Sequence, residues 1–490
     1  MHRPFVSLKP IAATVSAFAL LLAGCAQQPP AKPDVQGVVA PVLGQPLAVA
    51  DASALALNTS ERLAWVQHPG LRQAIAQALT HNRDLRVALL NIERARAQYG
   101  ITSAAQLPTV AAAAQGSRSR TAADLSSNGQ SVTSSQYTAQ LAATSFELDL
   151  WGRVRNLNEA ALQQFLQSEA NQLNVQIMLV ADVTNAWLNL AANEARLTLA
   201  RDTLAGRQKA YELTERIHQL GGTSGLVLAQ NRITVEAARG DVAAFTAQVA
   251  KDRNALDALV GSGLRTDWLP TADTLRGDAA AAPAALMALP ADLPSSLLLE
   301  RPDVRASEYN LQSLSANVAA ARAAMFPTIT LSTSIGFGSR ELGDLLGSGN
   351  STWSFVPQIR WPIFDGGSAR AAVDVAQANR DIAVAQYEKS IQTAFREASD
   401  ALAERAQWQE RLSAQQAVVD ANARAFELSE ARFTSGVDNY LTVLDAQRSL
   451  YAAQQTLIGL RQSEQANRVA LWKVLGGQLA SPAETPVSMR

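Results

Sequence analysis

Two long stretches without proline limit the folds that are open to this chain. Proline is absent from 109–269 and from 363–481. Glycine is absent from 368–435, and Gly206 is the only glycine in 153–220. Proline and glycine are the residues that most disfavour a helix interior. At about 1.5 Å per residue, the segments 153–220 and 368–435 therefore each predict a helix on the order of 100 Å long.

Apolar residues in these stretches recur at alternating steps of four and three. The first stripe is Leu173, Ile177, Val180, Thr184, Trp187 and Ala191. The second is Ile391, Phe395, Ala398 and Leu402, and it is broken at the next step by Arg405. This spacing is typical of coiled-coil packing, and it favours a structural role over a cofactor site.

The sequence contains an internal duplication. At one offset, 82–86 matches 301–305 and 108–110 matches 327–329; at a slightly smaller offset, Gly261 matches Gly476. The change of offset indicates a small insertion or deletion in a loop. The sequence thus divides into a signal peptide at 1–24, an anchor and tether at 25–60, a first repeat at 61–261, a linker at 262–293, a second repeat at 294–477 and a tail at 478–490.

Each repeat has the predicted order helix, two strands, very long helix, helix. The strands are predicted at about 109–118, 136–148, 328–338 and 353–363. The long helices are predicted at about 153–220 and 367–435, and the helices after them at about 224–260 and 438–475. Loops rich in Ser, Gly and Asn separate the two strands of each repeat.

The strands of the second repeat alternate apolar and polar residues. The candidate lipid-facing aromatic residues are Phe337, Trp353, Phe355 and Trp361. Ten residues with one apolar face suit a tilted transmembrane strand with lipid on one side and water on the other. The first repeat has a weaker alternation whose phase changes near Ser145 and Phe146, which predicts either a β-bulge or the exit of the chain from the sheet. A soluble pair of hairpins packed on helices is the alternative interpretation.

Four strands cannot close a barrel in a membrane. Open strand edges are not tolerated in lipid, and small bacterial barrels have about eight strands. Copies of the chain must therefore share one barrel, and cyclic symmetry gives eight strands for a dimer or twelve for a trimer.

The N-terminus has the features of a bacterial lipoprotein signal. Arg3 and Lys9 precede an apolar run at 11–22, which is too short to span a bilayer. The run leads into Leu-Ala-Gly before Cys25, the only cysteine of the chain. This predicts that Cys25 becomes an N-palmitoyl, S-diacylglycerol residue followed by a proline-rich tether. An ordinary signal peptide with a chance cysteine is the alternative.

Composition argues against several other functions. The net charge is -1, so nothing favours nucleic acid as a partner. One cysteine and four histidines form no metal-ligand pattern, and no phosphate loop or nucleophile elbow is present. We therefore expect no metal, no cofactor other than the covalent lipid and no enzymatic activity.

Several motifs resemble the TolC family of outer-membrane efflux proteins, in its NodT- and OprM-like lipoprotein branch. They are LAGC at 22–25, FELDLWGR at 146–153, RPDV at 301–304, FPTI at 326–329, FDGG at 364–367 and RFTSGVDNYLTVLDAQR at 432–448. The resemblance covers essentially the whole mature chain. It implies an α+β membrane protein: a trimeric twelve-stranded β-barrel, four strands per chain, continued by a long α-helical coiled-coil barrel in the periplasm.

The resemblance also implies a periplasmic gate formed by Leu441, Asp445 and Arg448. In OprM-like proteins the turn before these residues is the periplasmic tip, and a three-fold axis would gather Leu441 into an apolar ring and Asp445 into an acidic ring. An ordinary ion pair on a helix surface is the alternative. The first repeat departs from the pattern, because no acidic residue stands where the second repeat has Asp445.

The function that the resemblance implies is an exit duct of a tripartite efflux system. Its partners would be two further copies of the chain, a periplasmic adaptor (membrane fusion) protein, an inner-membrane RND-type pump and outer-membrane lipid. It would conduct small molecules such as drugs passively and contribute to antibiotic resistance. A conduit for protein or peptide secretion is the alternative, and a soluble coiled-coil scaffold would require strands without an apolar face.

Overall fold

The computed structural model describes residues 63–127, 129–261, 263–276, 285–287 and 296–477. In the first half, α1 (Pro69–His81) and α2 (Arg83–Ala104) precede β1 (Val110–Thr121), β2 (Val132–Glu147), α3 (Arg153–Gln219) and α4 (Gly225–Val260). Two four-residue helices, α5 (Asp273–Arg276) and α6 (Ser296–Leu299), follow. The second half contains α7 (Pro302–Ala323), β3 (Thr328–Ser339), β4 (Ser351–Arg360), α8 (Ser368–Thr434) and α9 (Tyr440–Val474). The signal peptide, Cys25 and the tether lie outside the described residues.

The described residues form two compact units. The sheet unit comprises Asn91–Glu169 and Ala306–Glu388. The helical unit comprises the described residues of Gln36–Leu90, Ala170–Arg305 and Lys389–Arg490. Each long helix has 67 residues, which agrees with the length that the absence of proline predicts.

The helical unit has its core around three tryptophans. Trp65, Trp187 and Trp472 are fully buried. The rings of Trp65 and Trp472 stack with centroids 5.0 Å apart, and the indole Nε1 of Trp187 donates a 2.9 Å hydrogen bond to the carbonyl of Trp268. The first heptad stripe is buried from Ile177 to Ala191. The stripe is therefore packing, as its spacing predicts.

The two halves end in the same way, which agrees with the duplication. Gly261 follows α4 with φ +76°, and Gly476 follows α9 with φ +68°. A side chain at Gly261 would meet the carbonyl oxygen of His81 at 2.6 Å, and one at Gly476 would come within 3.7 Å of the Arg301 Cα. Gly261 thus ends α4 beside the residues that precede α2, and Gly476 ends α9 beside the residue that precedes α7, each in a left-handed conformation that favours glycine.

The sheet unit contains one antiparallel sheet in the order β1-β2-β3-β4. Cross-strand partners include Ala112 with Leu141, Leu141 with Ile335, and Ile335 with Trp353. Within the described residues, β1 and β4 each pair with one neighbour only, so both outer edges keep unpaired backbone groups.

A β-bulge interrupts β2 at the position that the sequence predicts. The register shifts between Ala143 and Phe146, and Ser145 has φ +54°. Beyond the shift, even-numbered instead of odd-numbered side chains of β2 lie on the face that carries Leu141, and Phe146 lies opposite Leu331. Leu141, Ala143 and Phe146 therefore lie on one face of the sheet, on both sides of the bulge.

The strand ends differ from the predicted ones. β2 begins at Val132 instead of 136, and β4 ends at Arg360 instead of 363. Trp361, predicted to be a strand residue, thus lies one residue beyond β4. The residue after it is Pro362, which has no amide hydrogen and cannot donate to the strand ladder.

Candidate functional sites on the sheet and at the helical turn

One face of the sheet is apolar and exposed. Leu141, Ile335 and Trp353 lie side by side across three strands. Trp353 is 79% exposed and Phe355 60% exposed. Phe337 lies on the same face, and Trp361 is exposed just after the strand. An exposed apolar surface of this kind marks contact with protein or membrane in the assembled molecule.

The opposite face of the sheet is polar. Its side chains include Gln115, Gln140, Gln358 and Arg360, which alternate with the apolar positions. Hydroxyl groups lie between them, and the Oγ atoms of Ser334 and Ser354 are 2.7 Å apart. Such a face suits water, so the sheet separates an apolar from an aqueous side.

Polar contacts fix the end of the sheet at which the helices begin. Arg153, the first residue of α3, donates from Nε and a terminal nitrogen to the Glu147 carboxylate at 2.8 and 2.5 Å. Trp151 stacks on Phe326 at 4.9 Å and donates 2.7 Å from Nε1 to the Pro327 carbonyl. The motif at 146–153 thus anchors the strand-to-helix connection.

The turn between α8 and α9 is held by side chains from both helices. Arg432 donates to Asp438 at 2.6 and 2.9 Å, and the rings of Phe433 and Tyr440 make an edge contact at 5.0 Å. Asn439 accepts from the Thr442 amide as the N-cap of α9. The turn is therefore a defined structure within one chain.

The three predicted gate residues lie on the first turns of α9. Leu441 is 54% exposed. Arg448 donates to the carboxylate of Asp445, and both side chains are largely exposed. The pair forms within one helix, three residues apart.

Comparison with known proteins identifies the family. The outer membrane efflux protein family matches residues 74–262 and 293–477. The chain belongs to this family. It is 42% identical over 467 residues to the antibiotic efflux pump outer membrane protein ArpC of Pseudomonas putida, with 94% of each chain covered. It is 39% identical over 430 residues to the outer membrane protein OprJ of Pseudomonas aeruginosa, with 88% of each covered.

Solved structures of efflux channels have the same fold. A membrane protein from Pseudomonas aeruginosa superposes with a TM-score of 0.80 at 38% identity, covering 88% of this chain and 95% of that one. CusC gives 0.78 at 35%, covering 86% and 95%. These relatives are trimeric outer-membrane channels with a barrel and long helices, and the four strands here match the share of one subunit. The predicted fold class is confirmed.

A polar network in this efflux protein was not predicted from the sequence. The Tyr451 hydroxyl on α9 donates to Asp241 on α4 at 3.1 Å. The guanidinium of Arg207 on α3 lies 5.7 Å from the Tyr451 ring centre and donates to the Thr234 carbonyl at 3.0 Å. Burial and Asp241 raise the pKa of Tyr451 to about 12, and burial lowers the pKa of Arg207. The network connects three helices of the helical unit.

A groove of about 780 Å³ brings this network beside the predicted gate. Its lining includes Arg207, Asp241, Leu441, Asp445 and Tyr451. Gln230, which the duplication offset aligns with Asp445, lines the same groove. The first repeat therefore contributes an amide side chain to the groove in which the predicted gate residues lie.

No metal centre is evident in the described parts of the chain, where no three His, Cys, Asp or Glu residues are placed to hold an ion. The candidate functional features are therefore the two-faced sheet and the groove at the turn.

Proposed function

We propose that this chain is the outer-membrane exit duct of a tripartite efflux system and conducts small molecules such as drugs passively to the outside. The observation that carries the proposal is the two-faced sheet with free edges. Aromatic side chains face one way and hydroxyl and amide side chains face the other. Lipid requires the first face and a water-filled duct the second.

Three copies of the chain would close the duct. Each copy supplies four strands, so a trimer has twelve, and the free edge of β1 in one copy pairs with that of β4 in the next. The helices α3, α4, α8 and α9 would extend into the periplasm. Relatives named as outer-membrane proteins of antibiotic and toluene efflux pumps support this role.

Partner proteins would supply the energy for transport and the path by which substrates reach the duct. A duct has no energy source of its own, and the sequence has no nucleotide-binding motif. An inner-membrane RND-type pump would supply the energy, and a periplasmic adaptor would bridge the gap. The α8–α9 turn, with Leu441, Asp445 and Arg448, would close the periplasmic mouth until the adaptor binds.

A covalent lipid at Cys25 would anchor the N-terminus in the same membrane. Multiple acyl chains hold a protein stably where a single chain does not. Radiolabelled palmitate should label the wild-type protein, whereas Cys25→Ser should remain an unlabelled precursor. Label on the variant, or none on the wild type, would exclude lipidation at this residue.

A gene deletion tests the transport role directly. Loss of the protein should increase the intracellular accumulation of antibiotics and of apolar solvents such as toluene, and the wild-type gene should restore efflux. The secreted proteins should be unchanged. If the deletion removes secreted polypeptides and leaves drug accumulation unaltered, the protein is a secretion conduit and not a drug duct.

A further inference from the structure

Arg118 and Arg120 are basic residues on the face of the sheet that carries the exposed aromatic side chains. Cross-strand pairing places Arg118 opposite Ser135, and Arg120 opposite Thr133. The same alternation places Ala112 and Ala114 on their face, with Ala112 in the row of Leu141, Ile335 and Trp353. Both arginines therefore face the lipid side of the sheet and not the duct.

The height of these arginines along the sheet matches the edge of a membrane. Arg118 lies six residues beyond the row of Ala112, Ile335 and Trp353, and Ile329 and Ile359 lie six residues from that row in the opposite direction. The row of Arg118 is therefore about 40 Å along the strands from the far end of the apolar face, or about 30 Å in height for strands tilted by about 40°. The apolar band of a membrane barrel is about 25 Å tall. The guanidinium groups are therefore at the level of lipid headgroups, at the end of the sheet with the hairpin loops.

No carboxylate in the sheet neutralises the two arginines. Glu147 is the only acidic residue in the four strands, and it lies at the opposite end, bound to Arg153. In the described part of the chain, Arg120 donates to the Ser131 hydroxyl at 3.2 Å, and Arg118 has no ion-pair partner. The hydroxyls of Ser135 and Thr133 add hydrogen-bond donors to the same two rows.

The second repeat has no such site. The duplication aligns Arg118 with Phe337 and Arg120 with Ser339. The sheet thus carries one basic patch, on β1, and an aromatic residue at the equivalent place on β3. If contact with lipid tails were the only requirement, an aromatic residue would be favoured at both positions, on β1 as well as on β3.

We propose that Arg118, Arg120, Ser135 and Thr133 bind a phosphate group of an anionic lipid in the outer leaflet. Arginine suits this ligand because its planar guanidinium donates two parallel hydrogen bonds to phosphate. The proposal rests on the proposed function for its orientation, since the hairpin loops face outwards only if the helices are periplasmic.

Native mass spectrometry of the full-length protein in detergent tests the site, with lipid A as the bisphosphorylated probe. Arg118→Gln with Arg120→Gln should weaken binding by about tenfold or more. The corresponding pair of lysines should bind more weakly than the wild type and more tightly than the glutamine pair, because the charge remains while the two parallel hydrogen bonds of each guanidinium are lost. Arg360→Gln, on the other face and at the other end of the sheet, is the matched control and should bind like wild type.

Three results would overturn the proposal. The first is equal binding by the wild type and the glutamine pair, and the second is equal binding of lipid A and its phosphate-free form. The third is complete displacement by inorganic phosphate, which would make the ligand the free ion. If the glutamine pair does not assemble, the lysine pair decides, and binding by that pair equal to that of the wild type counts against the site. Conductance in planar bilayers should be normal in the variants of Arg118 and Arg120, which face away from the duct, so a failed duct is distinguishable from a failed lipid site.

Discussion

At the scale of single residues, Gly336 has the tightest surroundings in the sheet. A Cβ atom there would lie 2.2 Å from the Ala139 carbonyl oxygen and 2.6 Å from the Gln140 Cα. Gly336→Ala must therefore displace a neighbouring strand, and we expect a loss of about 1–3 kcal/mol in stability. The thermal dissociation temperature of the purified assembly in detergent measures it.

Gly338→Ala is the matched control for that substitution. Gly338 lies on the same strand and face, but its nearest contact would be the Thr352 Cγ2 atom at 3.5 Å. This is ordinary van der Waals contact, so the variant should dissociate near the wild-type temperature. Equal effects of the two alanines would show that backbone entropy, and not the close approach of the neighbouring strand, determines the change in dissociation temperature.

Tyr451 is the residue at which we expect a pH-dependent effect. Its pKa of about 12 in the folded protein exceeds the ordinary value of 10.0. Protonated Tyr451 therefore contributes stability that is fully present below pH 10 and is lost as the pH rises towards 12. Tyr451→Phe should lower stability by about 1 kcal/mol at neutral pH and should remove this part of the alkaline loss. Thermal melts at a series of pH values measure both.

Tyr211→Phe is the control for the hydroxyl group. The Tyr211 hydroxyl reaches Glu215 within the same helix at 3.5 Å, whereas that of Tyr451 connects two helices. The Tyr211 variant should melt like wild type. A loss as large as that of Tyr451→Phe would argue against the network as a tie between α4 and α9.

At the scale of elements, the sequence predicts those structural features that depend on residues close together in the chain. The long helices follow from the absence of proline and glycine, and the bulge follows from the change of apolar phase before Phe146. The contact between Asp241 and Tyr451 joins residues 210 apart and has no local signature. The end of β4 was predicted too late because apolar alternation continues through Trp361, although Pro362 ends the ladder.

The predicted gate belongs to the α8–α9 turn as an element. Asp445→Ala with Arg448→Ala removes the charges that we place at the narrow mouth, while the Arg432–Asp438 pair that holds the turn remains. An exposed pair is worth at most about 1 kcal/mol, which changes an open population by about fivefold. Single-channel conductance in planar bilayers should therefore rise, with the strands unaffected.

Glu236→Ala with Arg239→Ala is the control for the gate. These residues form an exposed ion pair on α4 with the same spacing of three and a distance of 3.1 Å. Their removal should leave conductance near wild type. An unchanged conductance in the Asp445 and Arg448 variant, with its assembly intact, would place the closed point elsewhere in the duct.

At the scale of the whole molecule, the sheet determines the number of subunits. Within the described sheet, β1 and β4 each have one partner, so one edge of each strand needs hydrogen bonds from another copy. In lipid, every unpaired backbone group costs several kcal/mol, and a single chain therefore has no stable place in the membrane. Twelve strands from three chains satisfy all edges, and three chains agree with the trimeric channels among the solved relatives.

Native mass spectrometry in mild detergent should accordingly detect a trimer and no stable monomer. Gly336→Ala should increase the dissociated fraction on heating, because the displaced neighbouring strand is β2, which carries β1 and its free edge. Gly338→Ala should not. A dimer would give eight strands, a number that closes a barrel too narrow for a drug-sized duct, since small barrels are filled by their own side chains. A dimer under gentle conditions would therefore contradict both the subunit number and the duct.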